Sequence, residues 1–251
     1  MNTTIYALHG FLGLPSDWDG IGQEIGDQFE ALNLFSLSHP TNGLQHWGQA
    51  FNQYVAKQPA PRRILLGYSQ GGRLAMHALI DAPELWVGAI LVSANTGLKL
   101  EEERTSVLQM DIDWAQRFLN DPWEDLINDW DSQAVFRGQT PSFERKEEDY
   151  VRGHLAHAIE GWSVGKQNDL REPLSKLPFP ILWIAGEKDL KYVELVKQMA
   201  ADHPQSSFWI APDVGHRVPW ECPQLFLKEV KLWIQQLSAQ SFTFNDEDVL
   251  C

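Results

Sequence analysis

The chain is poor in several things, and each shortage removes a class of protein. It has only two cysteines in 251 residues, Cys222 and the terminal Cys251. That is no disulfide framework, and a reducing, cytoplasmic setting is expected. No group of Cys and His has metal-ligand spacing, so no metal is expected. No apolar run approaches the roughly 20 residues that cross a bilayer. The start, Met1-Asn2-Thr3-Thr4-Ile5-Tyr6, has neither a basic segment nor a long apolar core, so no signal peptide is expected. Basic residues are scarce: 20 Lys and Arg against 34 Asp and Glu give a net charge of −14. Neither nucleic acid nor an anionic membrane is expected as a partner of such a chain, and an anionic ligand would need a local basic patch. No internal repeat is visible.

What remains is a globular composition, 43% hydrophobic and 22% charged, with eleven tryptophans to supply buried area. Short apolar strands alternate with helical patterns, which predicts a mostly parallel sheet flanked by helices. Strands are expected at Ile5–Leu8, Ala31–Leu37, Arg63–Leu66, Val87–Val92, Ile181–Ala185 and Ser207–Ile210. Helices are expected at Trp18–Phe29, Trp47–Ala56, after Ser69, and at Leu225–Leu237, the last opened by Pro223 as first-turn chemistry allows. Between Val92 and Pro180 the alternation breaks. Helical periodicity without strands runs through Val107, Trp114, Phe118, Leu126, Trp130, Tyr150, Leu155 and Ile159. This predicts a helical cap (98–165), inserted after the strand ending near Ser93, between the two parts of an α/β core (1–97 and 166–240). The cap would roof the edge where such sheets bind ligands. The acidic stretch 241–251 is expected to fray.

One stretch carries chemistry. Gly67-Tyr68-Ser69-Gln70-Gly71 joins an apolar strand to a helix and reads as a nucleophile elbow, with the serine hydroxyl held out at the end of the strand. A serine hydroxyl needs a histidine to take its proton and an acid to orient that histidine. In this arrangement the chain order is Ser, acid, His. The loop Gly186-Glu187-Lys188-Asp189 follows one late strand and offers two acids; Gly215-His216 follows the last strand. His9-Gly10-Phe11 follows the first strand, where an oxyanion loop belongs, so the backbone N–H groups of Phe11 and Gln70 are expected to face a developing negative oxygen. His9 is a second histidine in the region, better suited to a pocket wall.

These residues resemble the α/β-hydrolase superfamily. Within it, the chain is similar to the 2-succinyl-6-hydroxy-2,4-cyclohexadiene-1-carboxylate synthases of menaquinone and phylloquinone biosynthesis. The narrower likeness rests on the elbow extended through Gly72-Arg73-Leu74-Ala75-Met76, on Trp114-Ala115-Gln116-Arg117-Phe118-Leu119, on Asp129-Trp130 with Val135-Phe136, and on Gly186 to Tyr192. The resemblance implies Asp189 rather than Glu187 as the acid. It implies a lyase that uses no cofactor and acts on a small anionic tricarboxylate, with Ser69, His216 and Asp189 as the base system. It also implies Arg73, Arg152, Tyr68 and Trp130 as substrate contacts. The family's further basic residue in the first cap helix falls at Val107, and Arg104, one turn earlier, is expected to reach the same space. An acidic segment usual after the second strand is replaced by Ser36-Leu37-Ser38-His39-Pro40-Thr41. The alternatives are a small-molecule serine hydrolase acting on esters or C–C bonds, and a non-catalytic binding protein on the same fold.

Overall fold

The computed structural model describes residues 3–26, 28–136, 139 and 142–243. Six strands form one sheet: β1 (Thr3–Leu8), β2 (Phe29–Leu32), β3 (Arg62–Tyr68), β4 (Gly88–Val92), β5 (Ile181–Gly186) and β6 (Ser207–Ala211). Their order is β2-β1-β3-β4-β5-β6 and every neighbouring pair is parallel. The loops that leave β1, β3, β5 and β6 therefore emerge at one edge, whatever their distance in sequence.

The central strands β1, β3, β4 and β5 are largely apolar on both faces because both are covered, as parallel sheets require. Tyr6, Leu8, Leu65, Leu91 and Trp183 face one way and pack with α2 (Gly43–Ala56), α3 (Gln70–Asp81) and α8 (Leu190–Ala201). Ile5, Ala7, Ile64, Leu66, Ile90 and Ile184 face the other way, toward α1 (Asp19–Ile25) and α10 (Pro223–Thr243). The period-2 alternation of a strand is thus visible only as a division between two cores.

Among the described residues of 98–165 three helices are longer than one turn: α4 (Glu101–Asn120), α5 (Trp123–Asp131) and α6 (Arg152–Gly161). Ala115, Phe118, Leu126, Leu155, Ala156 and Ile159 make a third apolar cluster, which also takes in Leu12 and Phe11 from the loop after β1. The cap helices and that loop are packed as one body. Short α7 (Arg171–Ser175) leads back to β5, and one-turn α9 (Val218–Glu221) precedes α10.

One expected strand is displaced. The second strand, which pairs with β1, is Phe29–Leu32, not Ala31–Leu37. The preceding helix stops at Ile25, before Gly26, whose φ of 110° suits only glycine. Leu34 to Ser38 then form a turn. Leu34 is fully buried and its carbonyl accepts the Trp47 indole N–H at 2.7 Å, so its apolar character serves a loop contact rather than a ladder. At the other end, α10 continues through Thr243, and 244–251 lie outside the described residues.

Candidate active site

Tight packing builds the elbow. A methyl group added at Gly67 would lie 2.6 Å from the Gly72 Cα, and one at Gly71 would lie 2.3 Å from the His9 carbonyl oxygen. The helix after Ser69 can approach β1 this closely only because both positions lack a side chain. Ser69 sits in the left-handed region, φ 51° and ψ −112°. Leu12 (φ 57°) and Ser93 (φ 48°) share that region. Strained backbone of this kind gathers where the surrounding structure fixes a functional geometry.

The three residues of the relay meet. His216 Nε2 lies 3.0 Å from Ser69 Oγ, and His216 Nδ1 lies 2.6 Å from Asp189 Oδ2. His216 is buried. Asp189 caps α8 from the end of β5 and Ser69 precedes α3. Glu187, the other acid of that loop, is exposed and accepts from the Asp213 N–H at 3.0 Å. The ring of His216 is bounded by Tyr68, Phe136 and Tyr192, with centroids 5.6, 5.7 and 5.0 Å away.

Two residues that sequence reasoning passed over hold the His216 loop. Glu221 accepts the Gly215 N–H at 3.0 Å and the Arg217 N–H at 2.8 Å, one carboxylate bracketing the histidine. Ser93 donates its hydroxyl to the His216 carbonyl at 3.0 Å. Glu221 had a faint signal, an acid shortly before Pro223. Ser93 had none, because its partner is 123 positions away.

The loop after β1 lies against the elbow. A methyl at Gly10 would stand 2.7 Å from the Tyr68 ring and 3.5 Å from Ser69 Cβ. The N–H groups of Phe11 and Gln70 donate to no carbonyl or side chain among the described residues. His9 is buried, with Nδ1 2.8 Å from the Gly10 carbonyl oxygen. Burial pulls its pKa down to about 4, so at neutral pH it is uncharged and a weak base, with its ring nitrogens against the Gly10 carbonyl and the Leu34 N–H.

Beside the relay, under α5, lies a cavity of about 50 Å³ lined by Phe11, Tyr68 and Trp130 among others. Trp130 stacks over Phe11 with centroids 4.7 Å apart. Ser69 does not line this cavity; it borders it through its neighbour Tyr68, whose phenol is pushed above its ordinary range by burial.

The three expected arginines all hold protein partners in this structure. Arg152 donates to the carbonyls of Phe118 and Asp121 at 3.1 and 2.8 Å and to Glu147 at 2.6 Å. It closes the C-terminal end of α4, where a cation meets unsatisfied carbonyls and the negative end of the helix dipole, and it does not line the cavity. Arg104 donates to the Gly165 carbonyl at 3.2 Å and does not line it either. Arg73, on the first turn of α3, donates to the Trp162 carbonyl just past the end of α6. Burial lowers its pKa, with Asp111 and Tyr192 opposing. It stays near the relay, because Tyr192 also borders His216. The cations that do line the cavity are Arg145 and Arg217. Arg145 makes a two-pronged pair with Asp17, at 2.9 and 2.8 Å. Nothing in local sequence ties those two, which stand 128 positions apart.

A parallel sheet with a strained serine elbow and a histidine–carboxylate relay at its C-terminal edge defines a class, and comparison agrees: the chain belongs to the alpha/beta hydrolase family, whose model matches residues 5–229. The 2-succinyl-6-hydroxy-2,4-cyclohexadiene-1-carboxylate synthase of Yersinia pseudotuberculosis is 30% identical over 243 residues, 92% of this chain and 87% of that one. The synthase of the same name from Salmonella arizonae is 30% identical over 230 residues, 86% and 87% of the two chains. Within the alpha/beta hydrolases, then, the chain belongs to the 2-succinyl-6-hydroxy-2,4-cyclohexadiene-1-carboxylate synthase family. Among solved structures, MenH from S. aureus superimposes with a TM-score of 0.81 at 20% identity, covering 95% of this chain and 96% of that one; that likeness speaks to the fold.

Proposed function

We propose that this chain is a carbon–oxygen lyase of menaquinone or phylloquinone biosynthesis. It eliminates pyruvate from 2-succinyl-5-enolpyruvyl-6-hydroxy-3-cyclohexene-1-carboxylate and leaves 2-succinyl-6-hydroxy-2,4-cyclohexadiene-1-carboxylate. The observation that carries this reading is the Ser69–His216–Asp189 relay, at 3.0 and 2.6 Å, in a chain of this family.

The chemistry follows from the parts. His216, oriented by Asp189, takes the Ser69 proton, and the serine oxygen so activated removes the carbon-bound proton made acidic by the succinyl ketone. Negative charge grows on the ketone oxygen, where the free N–H groups of Phe11 and Gln70 would receive it. Loss of one such donor typically costs about 10²–10³ in rate. The electron pair then moves through the ring and expels the enolpyruvyl oxygen; the departing enolate takes up a proton at its methylene carbon to become pyruvate, balancing the proton removed from the ring. No covalent intermediate and no cofactor enters the scheme. Arg73 is the cation we assign to a substrate carboxylate, since guanidinium meets carboxylate in a two-pronged fork, while the fork of Arg145 stays on Asp17. Arg73 would leave the Trp162 carbonyl to do so. Tyr68 and Trp130 wall the ring. The near absence of cysteine supports a reducing cytoplasm as the place of work.

The same relay could attack an ester. Assay of purified protein on both substrate types separates the two. The lyase reading predicts rapid pyruvate release from the enolpyruvyl substrate and negligible cleavage of p-nitrophenyl acetate. Fast ester cleavage without pyruvate release would assign the chain to small-molecule hydrolysis.

A further inference from the structure

Arg217 follows His216 directly, and its side chain is so far unused. The guanidinium lies over the Phe136 ring, 4.1 Å from the centroid. Nη2 donates to Asp131, the last residue of α5. Nη1 is buried and has no acceptor among the described residues. A buried donor without a partner is unfavourable and calls for an explanation. Here the environment suggests one, because Arg217 and Asp131 both line the cavity beside the relay.

The size of that cavity matters. About 50 Å³ is room for a few waters, not for a six-membered ring with three carboxylates. α5 carries Ile127, Trp130 and Asp131 of its lining, and an outward shift of α5 would admit such a molecule. The shift carries Asp131 away from Arg217. It leaves a guanidinium with both terminal nitrogens free, still backed by Phe136 and adjoining the base. Its backbone stays fixed, because Glu221 holds the Arg217 N–H.

We infer that Arg217 determines specificity for an anionic substrate: its guanidinium takes a substrate carboxylate, and Asp131 occupies that position until the substrate displaces it. The inference rests on the polyanionic substrate proposed above. The plainer role is a latch, in which the ion pair merely joins the cap to the His216 loop.

Two variants separate the roles, because a latch is broken equally from either side. In steady-state pyruvate release, Arg217→Gln should raise KM by about tenfold or more, the scale of one charge-assisted hydrogen bond, with kcat within about threefold. Asp131→Asn frees Arg217 and should leave KM unchanged or lower it. Arg217→Lys keeps the charge and loses the fork, so its KM should fall between wild type and Arg217→Gln; it carries the test if Arg217→Gln does not fold. Equal KM increases in Arg217→Gln and Asp131→Asn would reduce the pair to a latch and overturn the inference. A second readout needs no turnover. Trp130 and Trp220 line the cavity, so succinate, as a dicarboxylate probe, should quench tryptophan fluorescence. Arg217→Gln should weaken that binding about tenfold and Asp131→Asn should not. Equal succinate affinity in wild type and Arg217→Gln, or no binding to either, contradicts the inference. Absence of pyruvate release from wild type would instead overturn the proposed function, with the succinate titration still deciding Arg217.

Discussion

Ser69, Asp189 and His216 stand on loops that leave parallel strands at one edge of the sheet. Arg73, Arg104 and Arg152 are long side chains whose ends lie wherever their partners draw them. For the first group, the strand fixes where the functional atom is. A turn just after β3, β5 or β6 has one place to go, and the relay closes at 3.0 and 2.6 Å. For the second group, the backbone position was legible and the guanidinium was not. All three donate to backbone carbonyls, two of them at or just past a helix end and one at Gly165. A helix end leaves carbonyls to satisfy, and Arg73 and Arg152 satisfy them, Arg152 while also holding Glu147. The two cations that line the cavity, Arg145 and Arg217, hold the carboxylates of Asp17 and Asp131. Helix ends and carboxylates therefore compete for guanidinium in this molecule, and the choice is made by contacts distant in sequence.

The contrast can be broken in several places. The largest expected effect is at the strand ends. His216→Ala should reduce kcat for pyruvate release by about 10³-fold or more, since triad members act as a unit, with unchanged thermal melting. A loss below tenfold would remove His216 from the base system. Next comes Arg73, the arginine that borders both regions. Arg73→Ala should lower kcat/KM for the tricarboxylate by about 10- to 100-fold, the scale of a lost charge-assisted contact, and far less for any neutral ester. Equal losses on both would make it a purely structural tie to the Trp162 carbonyl.

Arg152 is predicted to behave in the opposite way. Arg152→Ala should destabilise the protein by about 1–2 kcal/mol, the scale of a helix-end contact, read as a lower urea midpoint. KM should change less than about twofold. A large KM increase with unchanged stability would return Arg152 to the substrate pocket.

The last expected effect falls on the pH dependence of stability rather than on catalysis. Burial holds His9 and His77 at pKa values of about 4, below the ordinary 6.5. The unfolded chain therefore takes up these protons first as pH falls. Their contribution to stability is complete above pH 6.5 and is lost between there and pH 4. Melting temperature should fall across that window, and His77→Leu should flatten part of the slope. An unchanged slope in His77→Leu would mean that His77 does not titrate as its burial implies.

The sequence carried much of the fold because alternation of short apolar strands with helical patterns has few solutions. It misplaced β2 because Leu34, a buried loop residue that receives the Trp47 indole N–H, looks like a strand residue. It found the elbow because Gly67 and Gly71 are required by close backbone approach. It missed Ser93, Glu221 and the Asp17–Arg145 pair because those residues act through partners or loops that only tertiary structure brings together.

The central claim is that an oriented serine, rather than any cap cation, removes the substrate proton. Pyruvate release by wild type and Ser69→Ala, measured side by side at saturating substrate, tests it most directly. Rapid release by wild type is expected, with a fall of about 10³-fold or more in Ser69→Ala and the variant still folded. Release by Ser69→Ala at a rate close to wild type would contradict it.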